Sequence, residues 1–297
     1  MKILIIGSDS FIAKLFINNY NHGNVKGISH TVKSFSNEIV ISDFSQIEEN
    51  VFSDIDVVIN FAAIVHSPHI KDPVLYNKIN NDLTVLNAQK SKKAGIKLFI
   101  QLSTVAVYGN VSNININTPY KPIDPYSWSK LKADEELLAM QSNLFKVAII
   151  RPPMVYGGGN APGNMLRLIK LIDKGIPLPF KGINNTRDFI NVHNLIQYLS
   201  IITEKQLYGI YLISDKKPIS LENLINIISG FLGKKVILFK LPDCLLHCIK
   251  LIRPNEFNKL FENLSVKTNF PYENFINHFS IENGICEMTE WYKYNRK

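Results

Sequence analysis

The chain has 297 residues, of which 46% are hydrophobic and 20% charged, with a formal net charge of +8. That length and apolar content suit one large α/β domain, alone or with a smaller appendage, and exclude a disordered chain. The positive charge suits an enzyme with an anionic substrate as well as a nucleic-acid binder, but the basic residues form no arm or stripe, so no nucleic-acid partner is expected.

The first residues carry one lysine and an apolar run that turns polar after Gly7, too soon for a secretory signal. No stretch approaches the ~20 apolar residues of a membrane span. A cytoplasmic protein with no membrane partner is the expectation. Lys2–Ile6 reads as a buried parallel strand ending at Gly7. Phe11–Asn19 has apolar residues at helical spacing. Val25–Ile28, Ile39–Ile41 and Asp56–Phe61 read as strands, and Tyr76–Lys93 as a long helix ending near Gly95. Leu98–Leu102 is a further strand, Tyr126–Gln141 a helix and Phe145–Ile150 a strand. This βαβ rhythm predicts an α/β fold, a Rossmann-type doubly wound parallel sheet. The rhythm breaks after Arg151, at a loop running from Gly157 to Gly163. Beyond it the pattern is mixed and broken by prolines, as in a smaller C-terminal α+β lobe.

Cys244, Cys248 and Cys286 are the only cysteines. Their odd number and unpaired spacing predict neither a disulfide framework nor a metal site. Cys244, His247 and Cys248 read as residues along a helix face.

The first strand runs into Gly7-Ser8-Asp9-Ser10-Phe11-Ile12-Ala13, where a phosphate-binding turn belongs. Only the first glycine of a three-glycine pattern is present, with the small residues Ser10 and Ala13 in the other two places. Gly7, Ser10, Phe11 and Ile12 are candidates to hold a dinucleotide; the alternative is an ordinary strand–helix turn. The second strand ends without the acidic residue that would bind ribose hydroxyls. Ser29, His30 and Lys33 suit a 2′-phosphate better, which favours NADP(H) over NAD(H) unless selectivity lies elsewhere. Asp43 and Phe44 follow the next strand and are placed to flank the adenine.

Tyr126-Ser127-Trp128-Ser129-Lys130 opens a helix, and the four-residue spacing puts Tyr126 and Lys130 on one face. A phenol, with a pKa of about 10, is a poor acid or base at neutral pH unless a cation stabilises its phenolate. Upstream, Thr104 follows an apolar strand, where open α/β sheets bind ligands.

With these residues the chain resembles the extended short-chain dehydrogenases/reductases, the NAD-dependent epimerase/dehydratase family acting on nucleotide sugars. The resemblance covers nearly the whole chain. It includes Asn60-Phe61-Ala62-Ala63, Asn80 with Thr84, Leu102 to Gly109, Arg151-Pro152-Pro153-Met154-Val155-Tyr156-Gly157, Arg187 to Val192 and the closing Glu290-Trp291-Tyr292. It implies that Thr104 hydrogen-bonds the reacting oxygen and Tyr126 is the general acid/base. Lys130 would bind the nicotinamide ribose and lower the tyrosine pKa. Phe61, Ala62, Ala63, Asn80 and Pro153 would contact the cofactor. Arg187 would grip the substrate diphosphate, and Asn164 would sit on the substrate side; the alternative for Arg187 is a structural pair with Asp188. Residues 1–157, with about 187–214 returning, would form the NAD(P)-binding domain, and 158–186 with 215–297 the nucleotide-sugar lobe.

The resemblance also narrows the reaction. A 4,6-dehydratase carries an Asp-Glu pair after the threonine, where this chain has Val105-Ala106, and a 3,5-epimerising reductase carries a cysteine near Ala106. What remains is an NADPH-dependent reductase of a UDP-N-acetyl-4-keto-6-deoxyhexose, which is favoured and would serve capsule or O-antigen synthesis, or a UDP-sugar 4-epimerase with bound NAD. A non-catalytic nucleotide binder is the third reading, supported only by Ser10 and Ala13. A homodimer acting on a UDP-sugar is expected.

Overall fold

A computed structural model describes residues 1–20, 24–31, 33, 35–65, 70, 72–272 and 275–296. The first half builds the expected alternation: β1 (Ile3–Ile6), α1 (Phe11–Asn19), β2 (Val25–Ser29), β3 (Glu38–Val40), β4 (Val57–Asn60), α2 (Pro73–Tyr76), α3 (Leu83–Lys93), β5 (Leu98–Leu102) and α4 (Pro125–Ala139). All four residues of β1 and of β4 are buried, as strands covered on both faces must be. With the strands Lys146–Arg151 and Gly209–Leu212 they form a seven-stranded sheet in the order Gly209–Leu212, Lys146–Arg151, β5, β4, β1, β2, β3. Every pairing in it is parallel. The chain winds from β1 outward through β2 and β3, then returns to β4 on the other side. The switch between β1 and β4 opens a crevice at the strands' carboxyl ends, where such sheets bind ligands. This is the Rossmann-type fold the sequence predicts.

Two elements depart from the plain pattern. The long helix expected over Tyr76–Lys93 begins at Pro73 and is interrupted by a π-turn, Asn77–Asp82, where the Leu83 amide bonds the Lys78 carbonyl. Three asparagines and an aspartate favour side-chain bonding over a regular ladder, and such insertions recur at functional sites. Helix α4 starts at Pro125 because Asp124 caps it: Asp124 Oδ1 accepts from the Ser127 amide at 2.8 Å, and Ser127 Oγ accepts from the Asp124 amide at 3.2 Å. This reciprocal cap, with proline in the first turn, fixes where Tyr126 emerges.

The chain divides into two compact units: residues 1–109, 118–151 and 196–212, and residues 110–117, 152–195 and 213–297. The second is an α+β unit. Met154–Tyr156 pairs in parallel with Phe189–Asn191, and Thr186–Arg187 antiparallel with Ile219–Ser220. Its helices are Asn164–Asp173, Leu221–Leu232, Asp243–Ile252, Pro254–Phe261 and Ile281–Asn295.

Candidate active site

The crevice at the switch point is built from β1 and β4. Gly7 has φ +79°, and a Cβ there would meet the Ala62 amide nitrogen at 2.6 Å, so only glycine fits. The amides of Phe61 and Ala62 both bond the Ile6 carbonyl, at 2.9 and 3.1 Å. Phe61 and Ala62 are thereby brought against Gly7, with Ala63 next in the chain. Below them Asn60 Nδ2 donates to Gln101 Oε1 at 2.8 Å and to Thr84 Oγ1 at 3.1 Å, a buried polar node under the turn. Ser10 caps α1 by accepting the Ala13 amide at 3.3 Å, with Phe11 and Ile12 in the first turn.

At the end of β2, Ser29 is buried and its Oγ has no hydrogen-bond partner among the described residues. His30 and Lys33 are exposed. The His30 ring lies edge-on to buried Phe44, centroids 4.3 Å apart. Asp43 accepts the Ser45 amide at 2.8 Å, which holds its carboxyl below the usual range. Two acidic side chains also reach this region, and neither stands at the end of β2. Glu38, at the start of β3, accepts from the Ser8 hydroxyl, and Asp9 accepts from Thr31 at 3.1 Å.

The Tyr–Lys pair lies on α4. Thr104 caps the turn Val105–Tyr108: its Oγ1 accepts the Ala106 amide at 3.1 Å, and its hydroxyl also hydrogen-bonds the Tyr126 phenol. Burial pushes the Tyr126 pKa up, and the Thr104 bond pulls the other way. The Tyr126 ring meets Tyr76 edge-on, centroids 6.3 Å apart. Lys130 is 2% exposed and donates from Nζ to the Leu102 carbonyl at 2.6 Å. Burial lowers its pKa to about 8, against the pull of Asp134. Asn80 connects the π-turn to this helix. Its amide brackets the Ile64 backbone, Nδ2 to O at 3.0 Å and N to Oδ1 at 2.8 Å, and Nδ2 also donates to Ser129 Oγ at 3.0 Å.

One turn beyond Lys130 stands Asp134, fully buried. Arg151 Nε donates to Asp134 Oδ2 at 3.0 Å and Ser103 Oγ donates to it at 2.7 Å. Arg151 Nη1 continues to the Tyr108 hydroxyl at 2.8 Å. Ser103 and Tyr108 lie on either side of Thr104 in the chain, so this network anchors the loop that carries Thr104 to the helix that carries Tyr126. The sequence signal for it was the spacing Tyr126, Lys130, Asp134, one residue per turn of a single face.

The remaining expected residues lie in the second unit. Pro153 is buried, and Asn164 is exposed as the first residue of its helix. Arg187 is half-buried and donates from Nη1 to the carbonyls of Glu262 at 2.8 Å and Asn258 at 3.1 Å. Among the described residues it has no acidic partner; Asp188 instead accepts the Val266 amide at 2.8 Å. Among the described residues no group of three His, Cys, Asp or Glu side chains could hold a metal.

A parallel sheet in this strand order, a glycine turn at its switch point and a Tyr–Lys pair on α4 define a Rossmann-type dehydrogenase framework. The sequence pattern of the NAD dependent epimerase/dehydratase family matches residues 3–214, and the chain belongs to this family of enzymes. A UDP-glucose 4-epimerase of Vibrio cholerae is 31% identical over 69% of this chain and 63% of that protein's length. An N-acetyl-alpha-D-glucosaminyl-diphospho-ditrans,octacis-undecaprenol 4-epimerase of Escherichia coli O157:H7 is 27% identical over 81% of this chain and 75% of that protein. Among solved structures, a UDP-N-acetylglucosamine 4-epimerase from Methanobrevibacter ruminantium M1 superposes with a TM-score of 0.82 at 20% identity, covering 99% of this chain and 98% of that one. This last likeness confirms the fold.

Proposed function

We propose that the protein is a sugar 4-epimerase acting on a diphosphate-linked sugar such as a UDP-hexose or UDP-N-acetylhexosamine. The carrying observation is a proton-transfer pair, Tyr126 with Thr104, with no acid or base in the two positions after the threonine, which are Val105 and Ala106. Such a set can move a proton and a hydride at one carbon but cannot drive elimination. The relatives described above are 4-epimerases, which supports reversal at one centre.

The residues present fit a dinucleotide. The Gly7 turn leaves no Cβ at the switch point, and Ser29 Oγ is a buried hydroxyl with no partner among the described residues. Gly7 with the first turn of α1 would hold the diphosphate, and Lys130 the nicotinamide ribose. The nicotinamide supplies the hydride acceptor and donor. Tyr126 Oη takes the C4-hydroxyl proton and returns it to the same oxygen once the 4-keto sugar has turned, so that C4 is reduced on its other face. Thr104 would fix the sugar oxygen, its Oγ1 held in place by the Ala106 amide. Lys130 supplies the cation that brings the phenol pKa down. Arg187, free of any acidic partner among the described residues, suits the substrate diphosphate.

NAD is the cofactor this reading favours, because the acidic side chains of Glu38 and Asp9, bonded to Ser8 and Thr31 on either side of the end of β2, would disfavour a 2′-phosphate there. The reductase reading keeps one observation in its favour: His30 and Lys33 are exposed side chains with N–H donors after β2. Incubating the purified protein with UDP-GlcNAc or UDP-glucose, with no added cofactor, separates the two. Interconversion with the C4 epimer supports the epimerase. NADPH consumed stoichiometrically with a UDP-4-keto sugar, without such interconversion, supports the reductase.

A further inference from the structure

The helix Asp243–Ile252 carries apolar side chains that its own unit does not bury. None of its ten residues is buried. At about 100° per residue, Cys244, Leu245, Cys248, Leu251 and Ile252 fall on one arc about 120° wide. All five are exposed, Leu251 by 68% and Ile252 by 77%. The opposite side, Leu246 and Ile249, is half-buried. Ile237 and Phe239, in the segment leading into the helix, are exposed by 64% and 43%. Exposed apolar side chains gathered on one helix arc mark an interaction site.

Charge indicates what covers it. Between Lys234 and Arg253 there are five Lys or Arg residues against Asp243 alone, half of the chain's net charge of +8. Lys235, Lys240 and Arg253 are exposed, Lys234 lies 4.0 Å from Asp173, and Lys250 bonds Glu262 at 3.1 Å. An apolar arc with cations on either side of it in the sequence, Lys240 before and Arg253 after, complements an anionic lipid surface, whose acyl boundary accepts Leu and Ile while its phosphates accept Lys and Arg. A second copy of this chain paired arc to arc about a two-fold axis would bring those cations together, which like charges oppose. Ten residues are too few to cross a bilayer, and no described helix is long and apolar enough to do so.

We propose that the helix Asp243–Ile252 docks the protein onto an anionic membrane surface, lying in the plane of the headgroups. The proposal is independent of the sugar chemistry, because vesicle binding and turnover are read separately. It would bring the enzyme to a diphosphate sugar carried on a membrane lipid, the substrate class named for the Escherichia coli relative.

The full chain is sedimented with vesicles of phosphatidylethanolamine and phosphatidylglycerol, and with vesicles of phosphatidylcholine alone. The wild type should pellet with the anionic vesicles, less at high salt, and remain in solution with the neutral ones. The double variant Leu251→Ser, Ile252→Ser should bind at least roughly tenfold more weakly, with an unchanged circular dichroism spectrum and unchanged turnover of a soluble nucleotide sugar. No binding by the wild type, or equal binding by the variant, overturns the proposal. So does a wild-type dimer that the double variant turns into monomers, which would assign the arc to a second copy.

Discussion

Tyr126 and Lys130 each have a buried environment that works against the charge the proposed reaction would need. Burial raises the Tyr126 pKa and lowers that of Lys130 to about 8. The unloaded site therefore holds a protonated phenol beside an ammonium close to losing its proton. Tyr126→Phe should leave cofactor binding intact and lower kcat by about 10²–10⁴-fold, the usual scale of general acid–base catalysis, measured by epimer interconversion. Lys130 also makes a stability prediction. Its folded pKa of about 8 lies below the unfolded value of about 10.4, so between them the unfolded chain binds the extra proton and stability rises with pH. Urea midpoints at several pH values should show this rise in the wild type and a smaller one in Lys130→Met; parallel curves would contradict the assignment. For Arg187→Ala, KM for the nucleotide sugar should rise far more than Kd for NAD(H), as expected of a group that meets substrate phosphate.

Among the elements, α4 carries the most of the site. Its face presents Tyr126, Lys130 and Asp134 in successive turns, and Asp134 fastens the helix to Ser103 and Arg151. Removing one member of a buried ion pair leaves the other uncompensated. Asp134→Ala should therefore cost about 3–5 kcal/mol, read from chemical unfolding. Much of this element was legible: Asp124, Pro125 and Ser127 fix its start, and the Tyr–Lys spacing fixes its face. The π-turn at Asn77–Asp82 was not legible, because helical spacing over Tyr76–Lys93 does not record an i+5 bond. Nor was Glu38, whose contact with Ser8 joins residues 30 apart in sequence that meet only once β3 lies beside β2.

In the whole molecule the doubly wound sheet followed from strand-length apolar runs ending at Gly7, Phe61 and Leu102, a pattern with a strong period. The second unit was harder to read, since its strands are only two or three residues long and leave little periodicity. The charge likewise looked scattered along the chain, and its concentration around the helix Asp243–Ile252 acquires meaning only beside the exposed arc. The proposed site exchanges hydride at one carbon and eliminates nothing. Turnover of UDP-GlcNAc or UDP-glucose in deuterium oxide, with product analysed by NMR and mass spectrometry, tests this most directly. The predicted product is the C4 epimer with no carbon-bound deuterium, its C4 hydrogen carried over from substrate. Deuterium at C5, or a product lighter by one water, would contradict it.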